Sequence, residues 1–137
     1  MPPPMVGGFL VIHGFITTMI GVVAVTSPNA PSMALPSWFS WWPGPFGRSW
    51  LVDALNLGTP AAMLGGVLWL VAGIALIGAG LGFLGFAPLR DVWPLLGLVG
   101  GVVGLVTVAL YFHPLYLAAV AINLVLVVLV WGRVTAS

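Results

Sequence analysis

Apolar residues in this chain come in long unbroken runs, interrupted at a few points by proline, glycine and polar clusters. A helix that crosses a bilayer needs about 20 mostly apolar residues at 1.5 Å rise each, and the runs supply four such segments. The first covers residues 6–26 and ends at Ser27-Pro28-Asn29-Ala30-Pro31. The second covers 60–84, with Thr59 placed to cap it and Pro60 suited to its first position. A further apolar stretch from Val92 to Trp131 is long enough for two spans, 92–112 and 114–132. Proline disfavours helix in the residue before it, which places the break at Tyr111-Phe112-His113-Pro114. Asp91 is positioned to cap the third span, with Pro94 in its first turn.

The expected fold is therefore all-α: one membrane domain over residues 1–137, a four-helix bundle with a tryptophan-rich loop between its first two helices. Trp38, Phe39, Trp41, Trp42, Phe46 and Trp50 crowd that loop, and indoles favour the headgroup layer. A short interfacial helix over Ser49–Leu57 would put Asp53 and Asn56 on one face. Met1-Pro2-Pro3-Pro4 carries no basic residue before the first apolar run, so this run reads as a retained helix rather than a secretory leader.

Composition strengthens the bilayer assignment. Of 137 residues 61% are hydrophobic and 4% charged, with net charge +1 and mean hydropathy +1.23; a soluble domain carries about 25% charged residues. Cys, Lys and Glu do not occur, which removes disulfides, thiolate nucleophiles and lysine Schiff bases. Three scattered arginines give no basic patch for nucleic acid. An even number of crossings puts both termini on one side together with Arg90 and Arg133, opposite Arg48. The positive-inside tendency then places the termini in the cytoplasm, most simply of a bacterial inner membrane.

Few residues could carry chemistry, and no catalytic set emerges. His13 falls about 10 Å inside the first span, and an ionisable side chain at that depth needs a polar neighbour. Thr17 and Asn123 lie at similar depth, and Asn123 is expected to face inward and hydrogen-bond a threonine or a backbone carbonyl. At the opposite surface, Arg48, Trp50, Asp53 and His113 could form a small polar ligand site under the aromatic loop. His13 and His113 fall near opposite leaflets, so they do not share a haem, and no three- or four-ligand metal set exists. Which cofactor could bind, if one does, is unknown from sequence. Gly97, Gly100, Gly101 and Gly104 on the third span, with Gly78 and Gly82 on the second, form small-xxx-small faces for close helix packing.

Ile12-His13-Gly14-Phe15-Ile16 resembles the opening of small bacterial four-span proteins with a His-Gly-x-x-His first helix, loosely DoxX-like. The likeness continues through Pro60-Ala61-Ala62-Met63-Leu64-Gly65-Gly66-Val67-Leu68-Trp69 and Ile122-Asn123-Leu124-Val125-Leu126. Thr17 stands where that pattern has its second histidine. The resemblance implies a compact four-helix unit and no particular activity. Together these features lead to the expectation of a non-catalytic accessory or scaffolding subunit, a homo-oligomer or part of a larger membrane complex, packing through its glycine faces. A binder of a lipid, quinone or pigment beneath the aromatic loop is the alternative, and a small oligomeric transporter or channel a further one.

Overall fold

A computed structural model describes residues 3–28, 55–111 and 116–135. Four helices fill them: α1 (Pro3–Thr26), α2 (Gly58–Phe83), α3 (Trp93–Leu110) and α4 (Leu117–Val134), with a 3-10 turn at Ala87–Leu89 between α2 and α3. Each of the four is long and apolar enough to cross a membrane, and together they form the expected all-α bundle. The 18 residues of α3 and of α4 extend about 27 Å, close to the hydrocarbon thickness of about 30 Å. The 26 residues of α2 exceed it, and a longer span is accommodated by tilt.

Several boundaries differ from expectation for local reasons. Helix α1 starts at Pro3, since proline fits a first turn whose N–H groups have no intrahelical acceptor. His13 therefore sits ten residues, about 15 Å, into the span, near the membrane midplane rather than 10 Å deep. Helix α2 starts two residues before Pro60, and its N-cap is Leu57 without a side-chain cap bond, so Thr59 is inside the first turn and not the cap. The interfacial helix does not reach Leu57: Asn56 adopts φ 51° and Gly58 φ 71°, left-handed values that asparagine and glycine tolerate. Residues 49–54 of that expected helix, the tryptophan-rich loop and the break at 112–115 lie outside the described residues. Val92, not Asp91, is the N-cap of α3, again without a side-chain bond. Asp91 instead lies beside Arg90, Oδ1 to Nε 3.9 Å, with both side chains exposed.

The end of α2 is closed by backbone alone. Leu84 is its C-cap, Gly85 follows at φ 95°, and Phe86 N–H donates to Leu81 O while Gly85 N–H donates to Gly82 O, both at 3.0 Å. This paired bonding satisfies carbonyls that the helix end would otherwise leave without donors.

The helices pack in chain order. Helix α2 lies between α1 and α3, α4 packs mainly on α3, and its approach to α1 is looser. The closest pairing is α1 on α2, built on two glycine ladders with seven-residue spacing, Gly7, Gly14 and Gly21 against Gly80, Gly73 and Gly66. A methyl group on Gly14 would lie 2.7 Å from both Gly73 O and Ile77 N, and one on Gly21 2.7 Å from Gly66 O and Leu70 N. Residues seven apart return to one helix face, so hydrogen-only side chains at this period let the two backbones touch along their length.

Tyr111 ties the far end of α3 to the start of α2. Its hydroxyl donates to Ala61 O at 2.7 Å, and its ring lies over Gly65, where a methyl group would come within 2.8 Å. Burial pushes the Tyr111 phenol above its ordinary pKa. Trp69 fills the layer beside it, 2% exposed, with its ring 5.2 Å from that of Tyr116.

Gly14→Ala is expected to splay α1 from α2 and to cost about 1–3 kcal/mol, read as a lower melting temperature of the purified protein in detergent. Gly8→Ala, where a methyl group would meet nothing within 4 Å, is expected to melt no lower than the parent chain.

Candidate functional site

The polar residues expected near the midplane do come together, although not as a threonine–asparagine pair. Thr17 donates its hydroxyl to His13 O and Thr18 to Gly14 O, each at 2.8 Å. Threonine readily bonds the carbonyl four residues back in its own helix, so these hydroxyls are satisfied within α1. Asn123 faces inward as expected, 2% exposed, and its carboxamide approaches the His13 imidazole and lies against Gly104. The approach does not become a formed hydrogen bond: His13 Nε2 and Asn123 Oδ1 are both buried without a partner. Trp69 Nε1 is a third such atom, in the layer of Tyr116. An unpaired polar atom in hydrocarbon costs several kcal/mol, which marks this layer as chemically unfinished.

A groove lies along the same α1–α4 seam. Phe9, one turn before His13, stacks on it with ring centroids 6.0 Å apart and planes within 3°. Phe9, with Val6 and Leu10, forms one wall, and Ala121, Ile122, Val125, Leu126 and Leu129 of α4 form the other. The groove has a volume of about 380 Å³ and a hydrocarbon lining. It exists because α4 leans on α3 and leaves its seam with α1 to side chains. Leu10 and Leu126 share a buried cluster with Leu76 and Val130 at its floor.

The glycine faces named from sequence all turn towards helices or turns of this chain. A methyl group on Gly100 would strike Leu76 of α2, on Gly101 Val127 and on Gly104 Asn123 of α4. Gly82 abuts Leu89 and Trp93, Gly78 faces Leu96 at 3.0 Å, and Gly97 alone of the six keeps ordinary spacing, 3.5 Å from Val130. The α1 and α2 ladders were not expected; their signal is the seven-residue recurrence of glycine in both spans. The expected ligand residues Arg48, Trp50, Asp53 and His113 lie outside the described residues.

The end of the bundle that carries the N-terminus is aromatic and cationic. Trp93 meets Phe83 edge-on at 4.9 Å, and the Arg133 guanidinium lies 5.6 Å above the Trp93 ring. Such a belt suits a membrane–water boundary. Among the described residues no group of three or more His, Cys, Asp or Glu is placed to hold a metal ion. No family model, curated protein or solved structure matches the chain.

A double-mutant cycle with His13→Leu and Asn123→Leu is expected to give a coupling energy of about 0.6–2 kcal/mol in detergent unfolding. Additive effects of the two changes would separate the residues energetically. Gly104→Ala, which drives a methyl group into Asn123, is expected to destabilise in the same assay, whereas Gly97→Ala is tolerated or mildly stabilising through better helix propensity.

Proposed function

We propose that this chain is a non-catalytic integral membrane protein that holds a lipophilic molecule in the groove between α1 and α4. The observation that carries this reading is a hydrocarbon-lined groove of about 380 Å³ along the α1–α4 seam. Small-molecule sites are lined predominantly by apolar side chains, and this volume falls at the low end of the usual range of roughly 300–1,000 Å³. A docking transmembrane helix fits less well, because one turn 10–12 Å across occupies roughly 500 Å³. The glycine faces, on which an accessory-subunit role would rest, are already filled from within the chain. The DoxX-like resemblance, carried by stretches of the first, second and fourth spans, belongs to the same proposal, as a compact four-helix unit.

For orientation we propose the bacterial inner membrane with both termini cytoplasmic. Arg90 and Arg133 sit at the end of the bundle that holds the start of α1, where Val6, Trp93 and Val134 pack on one cluster, and positive charge favours the cytoplasmic side. Reporter fusions at each terminus are expected to register as cytoplasmic.

Native mass spectrometry of the protein released gently from its membrane is expected to show a bound lipophilic species. Ala121→Phe, which fills the groove from an exposed position, is expected to lose at least about tenfold in occupancy with little change in melting temperature. An empty particle, or an adduct unaffected by Ala121→Phe, would overturn the proposal. A second protein chain seated on α4 in place of the adduct would favour an accessory subunit.

A further inference from the structure

At the end of the bundle that holds the start of α1, the two described arginines stand in different surroundings. Arg90 Nε lies 3.9 Å from Asp91 Oδ1, so its nearest opposite charge comes from the next residue in the chain. Arg133 has no carboxylate within ion-pair distance among the described residues. Its guanidinium instead lies 5.6 Å above the Trp93 ring. Trp93 is itself fixed, edge-on to Phe83 at 4.9 Å, with its Cβ 2.7 Å from where a methyl group on Gly82 would stand. Attraction of a cation to a ring face is electrostatic, and it leaves the five guanidinium N–H donors, arranged in a planar fork, without an acceptor.

A cation in the last turn of a helix often serves the terminal carbonyls. In α4 another residue does so. Thr135 N–H donates to Trp131 O at 3.1 Å, and the Thr135 hydroxyl donates to the same oxygen at 3.0 Å and reaches Gly132 O at 3.5 Å. Arg133 takes no part in these bonds and is exposed.

Depth decides what the free fork meets. Arg133 is the last residue but one of α4 (Leu117–Val134), about 24 Å along the axis from Leu117, which puts it at the boundary of a hydrocarbon layer about 30 Å thick. Lipid phosphates lie at that level, and a phosphate accepts two parallel N–H bonds from one guanidinium. One turn deeper on the same face, Leu129 is 67% exposed and gives a hydrocarbon tail an apolar surface directly below the cation.

We propose that Arg133, held on Trp93, binds the phosphate of an anionic phospholipid whose acyl chain descends along Leu129. The ring keeps the guanidinium at headgroup level, the fork donates to two phosphate oxygens, and the lipid's net charge matches one that no described carboxylate neutralises. The site is separate from the groove reading, because Ala121 lies 12 residues before Arg133, about 18 Å deeper.

The test is a thermal-melting titration of the full chain, stripped of lipid in an uncharged detergent, with phosphatidylglycerol or phosphatidylcholine of identical acyl chains. A ligand that binds the folded state raises the melting temperature. Half-maximal stabilisation is expected at an about tenfold lower concentration of phosphatidylglycerol, the worth of a hydrogen bond to a charged group. Arg133→Gln is expected to erase that preference. Arg90→Gln removes the same charge from the same end and is expected to change it by no more than about threefold, and Ala121→Phe is expected to leave it intact. Equal potency of the two lipids in the parent chain would overturn the site. Equal losses in the two arginine variants would also overturn it, by reducing the preference to diffuse attraction between a basic end and an anionic lipid. Displacement of phosphatidylglycerol by equimolar inorganic phosphate would overturn the assignment to a lipid, and loss of the preference in Ala121→Phe would move the lipid into the groove. The comparison of the two lipids uses the unaltered protein, so it does not depend on whether a variant folds.

Discussion

The bundle depends on the mutual approach of α1 and α2 along their glycine ladders. In hydrocarbon there is no gain from moving a leucine out of lipid and into protein, so helix association rests on dispersion contacts and hydrogen bonds. Contacts of that range need backbones within reach of each other, and a seven-residue recurrence of glycine on both partners provides it over most of the helix length. Gly7 faces Gly80, Gly14 faces Gly73 and Gly21 faces Gly66, an antiparallel register that leaves little freedom to slide. Val11 and Thr18 pack into the spaces between, and Thr18 keeps its hydroxyl within α1.

That tight pairing fixes what the other helices can do. Helix α2, bounded by α1 on one side and α3 on the other, is the most enclosed span, and its buried side is mostly alanine and glycine with Trp69 and Leu76 as bulky fillers. The glycine stripe of α3 then faces two ways, Gly100 to α2 and Gly101 with Gly104 to α4. Helix α4 is the least enclosed span, and its inward face is reduced to Asn123, Leu126 and Val130. A bundle whose closest contacts run in chain order closes weakly between its first and last members. The groove and the unfinished His13–Asn123 contact both fall on that seam, which gives one geometric origin to the molecule's apolar cleft and to its midplane polarity.

Much of this is legible in the order of residues, because a bilayer demands that each crossing satisfy its own backbone. The four spans, the inward-facing Asn123 and the small-residue stripe of α3 follow from that demand together with residue size. The partner of Asn123 is not legible, since a hydroxyl in a helix chooses between its own turn and a neighbour, and Thr17 and Thr18 choose their own turn. In the sequence Tyr111 belongs to a break between spans; its bond to Ala61 O, fifty residues away, depends on a chain path that local patterning does not encode. Asp91 and Thr59 have the right chemistry for caps, yet helix ends shift by a residue or two with the turns that precede them.

The sequence by itself determined the solvent, the number of crossings and the small-residue surfaces, because length, hydropathy and side-chain size are properties of single segments. Only the tertiary structure decided which glycine meets which helix, that α1 and α4 form the loose seam, and that His13 comes to Asn123. Those outcomes depend on the relative rotation and order of four similar helices. Apolar segments of nearly equal hydropathy do not distinguish among such arrangements until their backbones are brought into contact.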